Sequence, residues 1–528
     1  MNKKPVLLVI LDGFGVSFEK KGNAVALAKK PNLKYISENY PGTTLRASGM
    51  EVGLSWGEMG SSEVGHANIG AGLVVYQNLA KINLAIKDGS FLKLPAWSRA
   101  VRYADKNKSA IHLMGLVSNG GVHSHLDHLL TILRAIKDLN FKGEVFIHAF
   151  TDGQDVAPAS AMQFLNILEI ELQKMKIGKI AALSGRYYAM DKNENWDRVE
   201  KAYRCLTEGI GNQAVSAEAA IRDSYDKEIK DEYLEPTAIV DKTGQPIGLI
   251  KNKDVLIFFN FRADRARQIT QAFIADKFNK FPRKKIENLL FIPLTQYGLD
   301  YPLEPAFPLQ NIVNPLAKII SDAGKAQFHI AEREKYAHVT YFFNGGTEKE
   351  FPGEDRVIVP SKNVASYDLA PEMSAKEITG KLEAAIKARK YDFLAANFAN
   401  GDLVGHTGNL QAGIKAVEIL DDCLGVLLKS VLEAGGTMAI TADHGNVEEM
   451  ISLSTGEIDK EHSVNPVPFW VISPANKKSD SQKKESQVAP EGILADVAPT
   501  ILELMALEKP KEMTGTSLLK LVSNCLLP

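Results

Sequence analysis

The sequence predicts an α/β fold. Short β-branched and aliphatic runs alternate with longer helical patterns through most of the chain, the signature of parallel sheets covered by helices. A middle stretch carries its own set of strand and helix pairs, enough to close a separate sheet. At 528 residues the chain has room for about three domains or two large ones.

In chain order, PVLLVILDGFG reads as a buried strand ending at Asp12, and the apolar spacing of 24–39 predicts a helix. In the middle, IHLMGLVS, EVFIHAFTDG, KIAALSG and DVLIFFNFR read as strands, with helices over 159–175 and 196–208. The proline-rich stretch 301–315 reads as a linker leaving that unit, with a counterpart near 76–81. One domain is then discontinuous, 1–78 with 311–528, and 79–310 is inserted into it. In the last part YDFLAANFANGD, GTMAITADHG and NPVPFWVIS read as core strands, with a long amphipathic helix over 412–434 between the first two. A final helix over 497–507 starts from Asp496 as N-cap, with Pro499 tolerated in its first turn. The lysine- and serine-rich stretch 476–487 reads as a solvated loop, and there is no internal repeat.

Hydrophobic residues make up 45% and charged residues 24% of the chain, the usage of an ordinary globular protein. A formal net charge of −2 provides no overall field toward nucleic acid or an anionic membrane, so any anion site is local. Cys205, Cys423 and Cys525 are odd in number and far apart, which disfavours disulfides and thiolate metal cages and fits a reducing compartment. The run from Val6 to Leu11 is too short for a signal-peptide core, and no stretch approaches the ~18 apolar residues of a membrane span. The expectation is a cytoplasmic protein.

Ligands of open α/β sheets gather beyond the carboxyl ends of strands. Asp12, the Asp402 and His406 pair, and the Asp443 and His444 pair all follow predicted strands, and His462 precedes one. Singly, such an aspartate caps a helix and such a histidine is an ordinary polar residue. Together they offer about six oxygen and nitrogen ligands without a thiolate, enough for two cations, and suit Mn²⁺ or Zn²⁺ better than Ca²⁺. Asp402 and His406, four apart, share a face if the chain is helical there. Ser62 in WGEMGSSEVGHANIGAG is the candidate nucleophile, because a nearby cation favours its alkoxide. Gly60 and Gly65 permit a tight turn that exposes it, and Ser61 is an adjacent rival. Arg186, Arg262, Arg265 and Lys335 could converge on a small multiply charged anion. His123, His125 and His128 read either as a further metal site or as a single phosphate-facing His123.

The motifs GSSEVGHANIGAG, SNGGVHSH, SGRYYAMD, NFRADRARQ, EKYAHVTYFFNGG, GDLVGHTG and ADHGNVEEM, in that order, resemble the cofactor-independent phosphoglycerate mutases of the alkaline-phosphatase-like superfamily. The resemblance runs from Leu8 to the closing MTGTSLL. It implies a phosphatase-like domain with two Mn²⁺ ions, an inserted phosphotransferase domain, and an active site in the cleft between them. It implies that Asp402, His406 and His462 bind one ion, and Asp12, Ser62, Asp443 and His444 the other. Ser62 would take the phosphoryl group from 3-phosphoglycerate and return it to the 2-hydroxyl, with no bisphosphoglycerate primer. Asp155, in TDGQD, would move protons on and off the glycerate hydroxyls, while His123, Gln154, Arg186, Lys192, Arg262, Arg265 and Lys335 hold the substrate. The family pattern also implies a monomer.

The sequence departs from that pattern in places. Gln154 stands where the family has arginine; Lys192, followed by Asn193, replaces a second arginine; Ser61 replaces asparagine and Asn119 aspartate. A metal-dependent phosphatase or phosphonate hydrolase of the same superfamily, or a paralogue without turnover, are the alternatives.

Overall fold

The computed structural model describes residues 3–298, 301–478 and 490–524. Residues 479–487 of the expected polar loop, and Cys525, lie outside them; Cys205 and Cys423 are buried free thiols. The chain forms two compact units, Met1–Gln77 with Gln310–Pro528, and Asn78–Leu309. Part of the proline-rich stretch belongs to the second unit, because Ala306 and Phe307 are buried in its core. No helix of the described residues is long and apolar enough to cross a membrane.

Among the described residues the first unit holds one sheet, which in spatial order runs Glu354–Val359, Gln327–Glu332, Phe393–Phe398, Val6–Leu11, Thr437–Thr441, Val467–Ile472, Gly42–Arg46 and Pro490–Ile493. Every residue of Val6–Leu11 is buried, which is why this strand has no polar alternation and sits near the middle. It pairs in parallel with Phe393–Phe398 on one side, Leu11 opposite Phe398, and with Thr437–Thr441 on the other, Ile10 opposite Thr441. The three chains that leave these strands therefore emerge together at one edge. Val467–Ile472 runs antiparallel to Thr437–Thr441, so the sheet is mixed where parallel pairing was expected.

Helix Leu410–Glu433 covers part of this sheet. Asn409 caps it by accepting from Ala412 N at 3.3 Å, and Ala412, Ala416, Leu420, Leu424 and Leu427 form its buried stripe at helical spacing. Burying each large aliphatic side chain here is worth about 1.5–3 kcal/mol. The helix expected over 24–39 is two, Ala24–Leu27 and Pro31–Asn39. Pro31 restrains Lys30 from helical geometry, so it ends one helix and starts the next. The helix expected over 497–507 spans Val497–Leu504, and a further short helix, Leu519–Asn524, follows it. Asp496 does not cap Val497–Leu504 with its side chain; its carboxylate accepts from Ile493 N and Thr516 N instead.

The second unit's sheet runs Asn212–Ala214, Thr237–Ile239, Lys179–Gly185, Val145–Thr151, Ile111–Leu116, Val255–Phe258 and Leu290–Pro293, parallel except where Thr237–Ile239 meets Lys179–Gly185. Apolar clusters pack both faces, one around Trp97, Leu129 and Ile147, the other around Phe150, Tyr203 and Phe258. Helices Ala161–Met175 and Trp196–Glu208 are where the apolar spacing put them.

His128 gives this unit an acid-sensitive stability. Its Nε2 lies 2.9 Å from Asn83 Oδ1, and burial, with a smaller push from His125, lowers it to about 3. With the folded value below the unfolded ~6.5, the unfolded chain binds the extra proton between those values. Stability is full above about pH 6.5 and falls as the pH drops toward 3, by about 2 kcal/mol at pH 5. We expect the urea midpoint of the wild-type protein to fall more steeply between pH 6.5 and 5 than that of His128→Gln. Parallel curves would contradict this.

Candidate metal centre and anion-binding cluster

Among the described residues, metal-ligating side chains gather in two groups, Asp402 with His406 and His462, and Asp12 with Asp443 and His444. Both lie in the first unit, at the edge where the three central strands end. Asp12 follows Val6–Leu11 directly, Asp402 lies in the helix Asn400–Gly405 just past Phe393–Phe398, and Asp443 and His444 follow Thr437–Thr441. The helical turn brings His406 Nε2 within 3.1 Å of Asp402 Oδ1, as the spacing of four implied.

Hydrogen bonding assigns the ring tautomers. His406 Nδ1 lies 2.6 Å from Lys460 O, His462 Nδ1 2.7 Å from Gly60 O and His444 Nδ1 3.2 Å from Gly445 O. A carbonyl only accepts, so each Nδ1 carries a proton, and in the neutral rings of His406 and His462 each Nε2 turns a lone pair toward the site. The Nε2 atoms of His406 and His462 are 3.0 Å apart, and each is 3.1 Å from Asp402 Oδ1. Three acceptors facing one another at these distances repel unless a positive charge joins them. Ligands about 2.0–2.1 Å from a divalent ion are themselves roughly 3 Å apart, so this group fits such an ion.

The second group shows the same demand for positive charge. Asp443 Oδ2 is buried with no hydrogen-bond donor. Burial disfavours a charged His444, but Asp443, Asp12 and Asp402 outweigh it and raise the ring to about 10. Burial likewise works against ionised Asp12 and Asp402, but Lys335 together with the neighbouring histidines, His444 at Asp12 and His406, His462 and His444 at Asp402, outweighs it and holds both well below the usual carboxylate range.

Ser62 is the first residue of helix Ser62–Ala71 and is buried. Its Oγ lies 3.0 Å from both Asp12 Oδ1 and His444 Nε2. The rival Ser61 is the N-cap, its Oγ accepting from Val64 N. The glycines do not make the expected turn: a Cβ on Gly60 would collide with the Ala47 carbonyl, and one on Gly65 with Asp443 O. Gly65 lets the helix approach the Asp443 loop closely, and Gly60 lets the chain before the helix pass close to Ala47.

Lys335 stands apart from the other expected anion-binding residues. It is buried in the first unit, its Nζ 2.8 Å from Asp12 Oδ1, 2.6 Å from Ser62 Oγ and 2.5 Å from Asp402 Oδ2. It therefore joins the two carboxylate groups and donates to the serine oxygen.

The remaining candidates lie in the second unit, beyond the carboxyl ends of four adjacent strands. Arg186 is buried, with Nη1 2.6 Å from Asp152 Oδ1 and 2.9 Å from Asp155 Oδ2. Asp152 also accepts from Ser118 Oγ at 2.6 Å and from the amides of Gln154 and Asp155. Asp264 gathers Arg262 at 3.3 Å, Lys192 at 3.5 Å and His123 at 3.8 Å, while Arg265 donates to Met190 O. Burial, then Arg186, lowers His123 to about 4, with Asp264 opposing. Gln154 Nε2 donates to Glu232 Oε1 at 2.5 Å. His123, His125 and His128 are not one of the two metal-ligating groups: His128 is turned to Asn83.

Reasoning from strand ends missed Asp152, Asp264 and Glu448. The buried Glu448 carboxylate accepts from Gly15 N and Asn446 N at 2.9 Å, from Asn465 Nδ2 at 3.1 Å and from Ser463 Oγ. It ties together the loops that carry Asp12, Asp443 and His462. The run NVEEM, directly after ADHG, is the only sequence signal for it.

A family model described as BPG-independent PGAM N-terminus matches residues 82–299. The chain is 48% identical over 520 residues to a 2,3-bisphosphoglycerate-independent phosphoglycerate mutase of Clostridioides difficile (strain 630), spanning 98% of this chain and 100% of that one. It is 50% identical over 523 residues to the enzyme of the same name from Clostridium kluyveri, again spanning 98% and 100%. Among solved structures, Leishmania mexicana phosphoglycerate mutase at low cobalt concentration matches over 97% of both chains, with 31% identity and a TM-score of 0.57. With near-half identity sustained from end to end, the chain belongs to the 2,3-bisphosphoglycerate-independent phosphoglycerate mutases, a family of isomerases.

Proposed function

We propose that this protein interconverts 3-phosphoglycerate and 2-phosphoglycerate through a phosphoserine at Ser62, without a bisphosphoglycerate primer, as a monomer in the cytoplasm. The observation that carries this is the placement of Ser62 Oγ, buried and within 3.0 Å of Asp12, His444 and Lys335. In this reading residues 1–78 and 311–528 form the phosphatase-like domain and 79–310 the substrate domain.

Asp402, His406 and His462 hold one divalent cation, and Asp12, Ser62, Asp443 and His444 a second. Mn²⁺ suits the mixed oxygen and nitrogen donors, with Zn²⁺ the nearest alternative. Bound there, the cations supply a lowered serine pKa and neutralisation of phosphoryl charge. Lys335 donates to Ser62 Oγ and so favours its deprotonated form. A bond forms from Oγ to phosphorus as the bond to glycerate O3 breaks, and Asp155 gives O3 a proton. In the return step the 2-hydroxyl gives its proton to Asp155 and takes the phosphoryl group, restoring Ser62. His123, Gln154, Arg186, Lys192, Arg262 and Arg265 hold the carboxylate and phosphate oxygens of the substrate.

A coupled assay for 2-phosphoglycerate, with and without Mn²⁺ and with free phosphate monitored, tests the reading. Mn²⁺-dependent 2-phosphoglycerate without phosphate release is expected; phosphate release alone would identify a phosphatase. Gln154 occupies the family's arginine position and offers neither charge nor a guanidinium fork. A hydrogen bond to a charged group is worth roughly 1.5–3 kcal/mol, so Gln154→Arg is expected to lower the KM for phosphoglycerate about tenfold or more. An unchanged KM would show that other cations already meet the need.

A further inference from the structure

We infer that His66 and Asn397 form a proton-ordered bridge that orients Asp12 and Ser62, beside Asp443, without either residue acting as a metal ligand. Both are completely buried in the first unit. His66 lies one turn after Ser62 in helix Ser62–Ala71, and Asn397 lies opposite Ile10 in the strand pair next to Asp12. Asn397 Nδ2 is 2.6 Å from Asp12 Oδ2 and 3.0 Å from His66 Nε2.

An amide nitrogen has only hydrogens to offer, and it has two. One goes to Asp12 and the other to His66, so Nε2 accepts and the ring proton is on Nδ1. The opposite amide orientation would press an oxygen against the Asp12 carboxylate. The observed orientation leaves Asn397 Oδ1 buried without a donor, so both N–H groups are placed at the expense of the oxygen. On the far side of the ring, Nδ1 donates to the Ser62 carbonyl at 2.8 Å and lies 3.1 Å from Asp443 Oδ2. With both nitrogens committed in this way, His66 has no lone pair for a cation. Through Asn397 it links the Asp12 carboxylate to the nucleophile's backbone, with the Asp443 carboxylate close beside its Nδ1.

Groups around a metal site that orient its ligands typically change metal affinity or activity about 10–100-fold when removed. This inference rests on the two-cation reading, and the test separates the two. Mn²⁺ binding to the metal-stripped protein is measured by calorimetry, alongside thermal unfolding, kcat and KM for 3-phosphoglycerate, in the wild type and in His66→Ala and Asn397→Leu. Each substitution is expected to weaken Mn²⁺ binding about 10–100-fold and to lower kcat, with KM within about twofold of wild type. His66→Asn, whose amide nitrogen can still reach the Ser62 carbonyl, is expected to recover part of both losses.

Lowered melting with unchanged Mn²⁺ affinity and kcat would reduce the pair to packing and overturn the inference. If the alanine or leucine variant fails to fold, His66→Asn and His66→Gln decide the matter: each replaces only half of the ring's hydrogen bonding, so wild-type affinity and kcat in both would overturn it. A wild-type protein that takes up no Mn²⁺ would overturn the two-cation reading and this inference with it.

Discussion

Ser62→Ala should lose mutase turnover by roughly 10⁴-fold or more, because in the proposed mechanism every phosphoryl group passes through the oxygen that the substitution deletes. The fold should survive. Ser62 is a helix N1 residue whose Oγ faces polar groups, and alanine is a good helix former that needs no partner there. The loss should appear in kcat, with KM little changed, since the second-unit residues proposed to hold the substrate are untouched. Acid quenching of wild-type enzyme mixed with substrate should leave the mass of one phosphoryl group on the peptide containing Ser62, absent from the variant. Ordinary turnover by the alanine protein, or the label on Ser61 alone, would sink the assignment.

Stripping divalent cations should abolish turnover and also lower the melting temperature. Asp12, Asp402 and Asp443 are buried, the ammonium of Lys335 pairs with the first two, and Asp443 Oδ2 has no hydrogen-bond donor. Carboxylates crowded in this way repel one another, so anything that binds the folded site and ignores the unfolded chain stabilises it. At a free concentration 100 times Kd the gain is about 2.7 kcal/mol, a shift of roughly 5 °C for a unit of this size. Scanning calorimetry of the stripped protein with graded Mn²⁺ measures it, and Asp402→Asn should blunt the response. A melting point indifferent to Mn²⁺ would refute the two-cation centre.

The parts of this centre that were legible in the sequence are those whose position comes from topology. A parallel strand delivers the residues just beyond it to one edge of the sheet, so Asp12, Asp402 and Asp443 could be picked out from apolar runs alone. His406 followed from the pitch of a helix. The contacts made across the fold could not be read in this way. Lys335 looked like one more anion-binding cation, yet it sits among carboxylates at the end of Gln327–Glu332. His66, Asn397 and Glu448 look like ordinary interior residues until their partners, tens to hundreds of positions away, are known. In the fold, the class and the strongest strands and helices were visible because their apolar periods are long. The break at Pro31 was missed because the apolar spacing continues across it, although the proline itself was in plain view.

The strand arrangement also bears on the protein's synthesis. Val6–Leu11 is made first, but both of its neighbours in the sheet lie about 390 and 430 residues later. At roughly 5–20 residues per second, a ribosome needs about 20–80 s to supply the first of them. Throughout that interval a wholly apolar segment waits unpaired, whereas the 78–309 stretch is contiguous and has every strand of its own sheet at hand. The nascent chain is thus expected to depend on chaperone cover for Val6–Leu11 until its two partner strands arrive, with the candidate metal centre beyond those strands assembled only afterwards.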